Sequence, residues 1–263
     1  MPEGDTIHRV ASVLAPLLVG TQLAWARIGG VVRPELEGNK VTAVTAHGKH
    51  MTIDTDRGWQ VRVHLGMNGK WRRYRVPRPA PADASLVLAT PTDELACLRA
   101  RTIELTARRD PRRDRAIASL GPDLLAPEID LAIVLARARA VGATPIGVTL
   151  LDQRVAAGIG NVYKSEVLWL VGQSPFTPTS AVSDERLTTL YTTARTLMRA
   201  NLGPGMRKTT PGPRGGGRAA DDRFHVYNRA RRPCPRCGTP IATVQQGEQL
   251  RRTYYCPRCQ PWS

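Results

Sequence analysis

The feature that most restricts this chain lies near its end. Cys234-Pro235-Arg236-Cys237 and Cys256-Pro257-Arg258-Cys259 are two Cys-x2-Cys pairs with 18 residues between them. Four thiolates at this spacing can close a tetrahedral site around one zinc ion, each pair wrapping the metal from one side of a hairpin. All four ligands would be protein, so the metal is structural and no position stays open for water. Two disulfides are the alternative, but the opening Met1-Pro2-Glu3-Gly4-Asp5 is acidic where a signal peptide is basic. An intracellular, cytoplasmic protein is therefore expected (nucleoid-associated if bacterial), and disulfides are rare there. Ile241–Val244 and Arg252–Tyr255 read as the strands of the ribbon. Arg251 and Arg252 stand just before its second pair, where a metal-fixed hairpin can present a cation to nucleic acid. The fifth cysteine, Cys97, lies in a strand pattern and reads as a buried thiol.

Charge points the same way. The 263 residues carry 38 Lys+Arg against 22 Asp+Glu, a net +16. From Arg207 to Ser263 there are 12 cations and three acids, so +9 sits in that tail and +7 in everything before it. Two further basic runs follow the same sign: Arg72, Arg73, Arg75 and Arg78 around Trp71 and Tyr74, and Arg108, Arg109, Arg112, Arg113 and Arg115. One such run is ordinarily a solvated face. Three on one chain favour a surface that follows phosphates, with binding that weakens steeply in salt. No stretch approaches 18 consecutive apolar residues, so a membrane span is excluded.

The chain changes texture along its length. Asp5 can cap a helix carrying Ile7, Val10, Ala11, Leu14, Leu17 and Leu18 on one face, which Pro16 should kink or end. Lys40–Val44, Met51–Asp54 and Gln60–His64 then alternate as half-buried strands, and Ser85–Thr106 supplies two or three more. An antiparallel β-sandwich or barrel over residues 1–118 is expected. From Asp123 the pattern turns helical: Leu131, Val134, Leu135 and Ala138 share a face, Gly147–Val155 reads as another helix, and Ser183–Leu202 as a third. Gly203–Asp222 is rich in Gly, Pro and Arg without periodicity and reads as a loop. The expected fold class is therefore α+β and multidomain: residues 1–118, 119–226 and a zinc ribbon over 227–263.

The N-terminus has chemistry of its own. With Met1 removed, as expected before a small residue, Pro2 presents a secondary amine. Its pKa lies near about 8, far below a lysine side chain, so a useful fraction is unprotonated at neutral pH. Such an amine can attack an anomeric carbon and form an iminium, while Glu3 beside it moves protons.

These pieces resemble one family. Met1-Pro2-Glu3-Gly4-Asp5, Gly48-Lys49-His50, His64-Leu65-Gly66-Met67-Asn68-Gly69, Asp110-Pro111-Arg112-Arg113, Gly158-Ile159-Gly160-Asn161-Val162-Tyr163 and the zinc ribbon occur in the order seen in formamidopyrimidine-DNA glycosylase and endonuclease VIII. The Pro-Glu-Gly opening is closer to endonuclease VIII. The resemblance implies a β-sandwich, a helix-two-turn-helix domain and a zinc finger. It also implies a monomeric base-excision enzyme that removes oxidised bases from damaged DNA and then cuts the strand by β,δ-elimination. Carried over by position, Pro2 is the nucleophile and Glu3 the acid/base. Lys49 and Arg251 are cations at the departing phosphates, and Asn161 and Arg112 bind DNA. Met67 fills the gap left in the base stack. His64 reads as a structural hydrogen-bonding residue. The chain departs from the family at Thr6, where a second carboxylate usually stands, with Asp5 one place early. Asp114 follows the Asp-Pro-Arg-Arg segment where the formamidopyrimidine branch has an aromatic wedge, which favours pyrimidine over purine lesions. The rival reading is a non-catalytic or lyase-only member that senses abasic or damaged DNA.

Overall fold

The computed structural model describes residues 1–108, 110, 117–211 and 223–261. The chain forms two compact units, Met1–Ser119 and Leu120–Ser263.

The first unit opens with helix α1 (Gly4–Leu18), whose Ile7, Ala11, Leu14 and Leu18 recur at helical spacing and are buried. Its cap is Glu3 rather than the expected Asp5. The Glu3 carbonyl receives the Thr6 and Ile7 amides at 2.9 and 3.2 Å, so the helix starts two residues earlier and takes Asp5 into its first turn. An acid there still faces the positive end of the helix dipole. Pro16 removes only one bond of the ladder; the Val19 amide still reaches the Ala15 carbonyl at 2.9 Å, and the helix ends at Leu18.

Among the described residues, nine strands follow in two antiparallel sheets. One contains, in spatial order, β2 (Val31–Val32), β1 (Trp25–Ile28), β7 (Leu86–Ala89), β8 (Asp93–Leu98) and β6 (Lys70–Arg75). The other contains β3 (Val41–His47), β4 (His50–Thr55), β5 (Trp59–His64) and β9 (Thr102–Ala107). Met51, Ile53, Val61 and Val63 of one sheet meet Ala26, Leu86, Leu88, Leu95 and Cys97 of the other, and the apolar face of α1 joins the same core. Cys97 is fully buried, which pushes its thiol up to about 12. The sandwich is thus the expected one, with three strands drawn from Ser85–Thr106. β1, β2 and β6 are additional; β6 looked only like a basic run because its cations hide the strand period.

The second unit begins with α2 (Leu131–Ala140), capped by Asp130, whose carboxylate accepts the Ala132 amide at 2.8 Å. The helix expected over Gly147–Val155 is only the single turn α3 (Ile146–Thr149). Backbone turns continue after it, with the Leu151, Asp152 and Val155 amides reaching the Val148, Thr149 and Asp152 carbonyls at 2.9, 3.0 and 3.0 Å, and side chains brace them. Asp152 accepts the Arg154 amide at 2.9 Å, and Gln153 bonds the Leu151 and Ile159 carbonyls at 2.7 and 3.0 Å and the Gly158 amide at 3.1 Å. Those two turns deliver the chain to α4 (Asn161–Val171). Helix α5 (Asp184–Ala200) starts at Ser183, whose hydroxyl accepts the Arg186 amide at 3.2 Å, and buries Leu187, Leu190, Tyr191, Ala194 and Met198. The ribbon strands β10 (Ala242–Gln246) and β11 (Arg251–Tyr255) close the unit. Among the described residues, no helix is long and apolar enough to cross a membrane.

Candidate active site and zinc ribbon

In the first unit, Pro2 is half-buried and Glu3 fully buried at the amino end of α1, which packs against β3 and β4. Gly48 and Lys49 form the two-residue turn between those strands, with His47 paired to His50 across it. Gly48 adopts φ +55°, the left-handed conformation that a turn with glycine first requires. Lys49 therefore sits at a hairpin tip. The neighbouring rings of His50 and His64 lie 4.8 Å apart. Burial, with the fields of His64 and Arg62, pulls His50 down to about 4, and burial with the Arg101 field lowers His64 too. At neutral pH the His50 imidazole is therefore uncharged.

Met67 lies in the loop from β5 to β6 and is 64% exposed, large for an apolar side chain. Its loop is tightly specified. Gly66 has φ +65°, and a Cβ on Gly69 would stand 2.3 Å from the Leu65 carbonyl oxygen, which accepts the Gly69 amide. Arg112 lies outside the described residues, as do Arg109, Arg113, Asp114, Arg115 and most of the Gly203–Asp222 segment.

In the second unit, helix α4 and the ribbon are joined by polar side chains. Asn161, the first residue of α4, donates its side-chain N–H to the Arg252 carbonyl at 2.6 Å. One turn on, the fully buried Lys164 reaches the Thr253 hydroxyl at 2.7 Å. These bonds fix the start of β11, whose first residue is Arg251. Glu166, also fully buried, accepts from the amides of His225, Val226 and Tyr227 at 2.9, 2.8 and 2.8 Å, from His225 Nδ1 at 2.9 Å, and from the Thr209 hydroxyl. Burial raises its pKa, but the bonds from His225, Thr209 and the amides outweigh that and hold it below the usual carboxylate value. One carboxylate thereby ties Thr209 to His225–Tyr227. Glu166→Ala leaves these donors unpaired in a dry interior and should cost about 3–5 kcal/mol, with Glu166→Gln in between. Urea unfolding midpoints check it; a change below about 1 kcal/mol would contradict it.

The four cysteines form one cluster. Their sulfurs all lie within 4.8 Å of one another, with Cys234–Cys259 at 3.9 Å and Cys237–Cys256 at 3.4 Å. A tetrahedron of Zn–S bonds of about 2.3 Å has edges of about 3.8 Å, so the cage suits zinc, and the spacings exclude disulfides. The Trp169 indole N–H donates to Cys234 Sγ at 3.3 Å, the kind of outer contact that orients a metal ligand. The His225 ring stacks on Trp169 with centroids 4.5 Å apart, and the Arg236 guanidinium lies 4.4 Å from its ring centre. Hydrogen bonds from the Thr239 hydroxyl and amide lower Cys237 to about 6. Lys164, Glu166 and Trp169 were not singled out from the sequence. The available signal was the polar stretch Lys164-Ser165-Glu166 inside the otherwise apolar run 162–171.

Comparison with known proteins follows this geometry. Residues 1–104 match the formamidopyrimidine-DNA glycosylase N-terminal domain, 120–210 the formamidopyrimidine-DNA glycosylase H2TH domain, and 232–261 the zinc finger found in FPG and IleRS. The probable endonuclease 8 2 of Streptomyces coelicolor is 39% identical, the alignment covering 99% of this chain and 94% of that one. The DNA-(apurinic or apyrimidinic site) lyase Nei2 of Mycolicibacterium smegmatis is 34% identical over 99% of each. The Lactococcus lactis Fpg, solved with abasic-site DNA, shares the fold with a TM-score of 0.82 over 99% of this chain and 100% of that one, at 22% identity. With an N-terminal β-sandwich, a helix-two-turn-helix region and a four-cysteine ribbon all matched in order, the chain belongs to the formamidopyrimidine-DNA glycosylase and endonuclease VIII family of DNA repair enzymes.

Proposed function

We propose that this chain, a DNA glycosylase and abasic-site lyase by family, excises oxidised pyrimidines from DNA through a covalent Pro2 intermediate. The observation that carries the reading is Pro2-Glu3 set directly ahead of α1, with Glu3 buried at the helix start. After loss of Met1, the Pro2 nitrogen attacks C1′ and the bond from C1′ to the base breaks. Glu3 supplies the proton handling at the sugar and the leaving base. A proton delivered to O4′ then breaks the C1′–O4′ bond as the nitrogen loses its own. The ring-opened iminium acidifies the C2′ hydrogen, whose loss expels the 3′ phosphate; a second elimination expels the 5′ phosphate. Lys49 and Arg251 offset the charge of the leaving phosphates. Asn161, with one amide hydrogen on the Arg252 carbonyl, offers the other to the backbone, and Met67 occupies the stack vacated by the extruded nucleotide. One zinc ion, held by Cys234, Cys237, Cys256 and Cys259, stabilises the ribbon and takes no part in bond breaking.

Support for pyrimidine lesions comes from the Pro-Glu-Gly opening, from Asp114 in place of an aromatic wedge, and from relatives named endonuclease 8. The test is a cleavage panel on purified protein. Duplexes containing an oxidised pyrimidine should be cut at least about tenfold faster than those containing 8-oxoguanine, a gap of about 1.4 kcal/mol. The reverse order would overturn the lesion assignment. Cutting of abasic DNA without release of any base would favour the lyase-only alternative.

A further inference from the structure

We infer that the outer strand β6 and the turn after it form a second DNA-contacting surface, which follows the duplex away from the lesion. This rests on the DNA-repair reading above and extends it. Lys70–Arg78 holds five cations and no acid, and Lys70, Arg72, Arg73, Arg75 and Arg78 are all exposed. Among the described residues, β6 is the last strand of its sheet, paired on one side only with β8. The two acids opposite it on β8 are already engaged. Asp93 takes a two-pronged contact from Arg73, at 2.6 and 2.8 Å, and Glu94 accepts the Ala80 amide at 2.6 Å. Four cations remain outside those pairings. Beyond the strand end, the Arg78 amide donates to the Arg75 carbonyl at 2.9 Å and keeps Arg78 beside Arg75.

Position selects the occupant. The run starts three residues after the exposed Met67, so its near end adjoins the loop assigned to the base stack. At about 3.3 Å per residue the six-residue strand leads about 20 Å onward, the length of about six base pairs. An acidic peptide adding a strand to this edge would use the backbone of β6, yet the charge continues past the strand to Arg78. Lys70 and Arg72 lie on one face of β6 and Arg73 and Arg75 on the other. On an edge strand these long side chains can reach outward from both faces, so a duplex flank lying along the edge meets the run.

The test compares wild type with the triple change Arg72→Gln, Arg75→Gln, Arg78→Gln, which retains the Arg73–Asp93 pair. Binding is measured against salt on two substrates carrying a central abasic analogue. One has flanks of about 15 base pairs and the other is trimmed to about four on each side and closed by hairpin loops. On the long duplex the slope of log K against log salt should fall by about two to three, near 0.9 per lost phosphate contact. On the trimmed duplex, whose flanks reach Arg72 but not Arg75 or Arg78, the difference should shrink to about one or less. A control lacking the exposed Arg57 and Arg186 should change the long-duplex slope by less than about one. Equal slopes for wild type and triple variant on long DNA overturn the inference and leave the edge to an acidic protein partner. Equal losses on both substrates also overturn it, because the contact would then lie at the lesion. Failure of the wild type to bind the abasic analogue on the long duplex would instead strike at the proposed function.

Discussion

Extracting metal from the ribbon, by chelator with mild thiol or by Cys256→Ser, is expected to weaken binding to abasic-site duplex about 10- to 100-fold. The ribbon has a small core of its own: Val226, Ile241, Tyr254 and two of the cysteines, closed by Trp169 of α4. Structural zinc in such a unit contributes on the order of 10 kcal/mol, far more than those side chains can replace. Without it the β10–β11 hairpin loses its base, and Arg251 and Arg252 lose their fixed place. The effect should reach α4, because Asn161 and Lys164 bond to the Arg252 carbonyl and Thr253. Trp169 offers a readout independent of activity, since its N–H bonds Cys234 Sγ. Its fluorescence should change in step with zinc release, at about one metal per chain. Zinc loss with undiminished DNA affinity would show that the ribbon does not present the cations.

The second large effect concerns Pro2. Pro2→Gly should reduce borohydride-trapped complex with abasic DNA by about 100-fold or more. Glycine still offers an amine, but a primary one, whose adduct can shed its proton and become a neutral imine. The secondary amine of proline forms an iminium that keeps its positive charge, so the C2′ hydrogen stays acidic until elimination. Glu3→Gln serves as a contrast. It should lose release of a damaged base yet keep strand cutting at a preformed abasic site, where no base needs a proton. Loss of both activities together would point to a folding defect at the helix start, which α1 melting would reveal.

The sequence was most informative where apolar residues recur with the period of a strand or helix. Strands β3, β4 and β5 and helices α2 and α5 carry alternating or helical apolar patterns, and each was placed within a few residues. Helix α4 has no such pattern, because Asn161 through Trp169 are all buried and a helix apolar on every side shows no period. Its Lys164 and Glu166 carry no periodic sign of burial. Both are interior, since each finds partners in segments at least 43 residues away along the chain, pairings that local sequence does not encode. The segment after α3 read as helix because Leu150, Leu151 and Val155 recur suitably; the bonds of Asp152 and Gln153 divert it into turns. At the candidate site, the four cysteines were legible from their spacing, and Lys49 only through the resemblance. The roles of Trp169 and Glu166 needed three dimensions.

The account turns on which atom joins the DNA. Borohydride reduction of purified protein with abasic-site DNA, followed by proteolysis and mass measurement of the N-terminal peptide, addresses it directly. The account predicts a chain beginning at Pro2 and a sugar-derived mass on the Pro2 nitrogen. An adduct on a lysine such as Lys49, or efficient strand cutting with the N-terminal peptide unmodified, would contradict it.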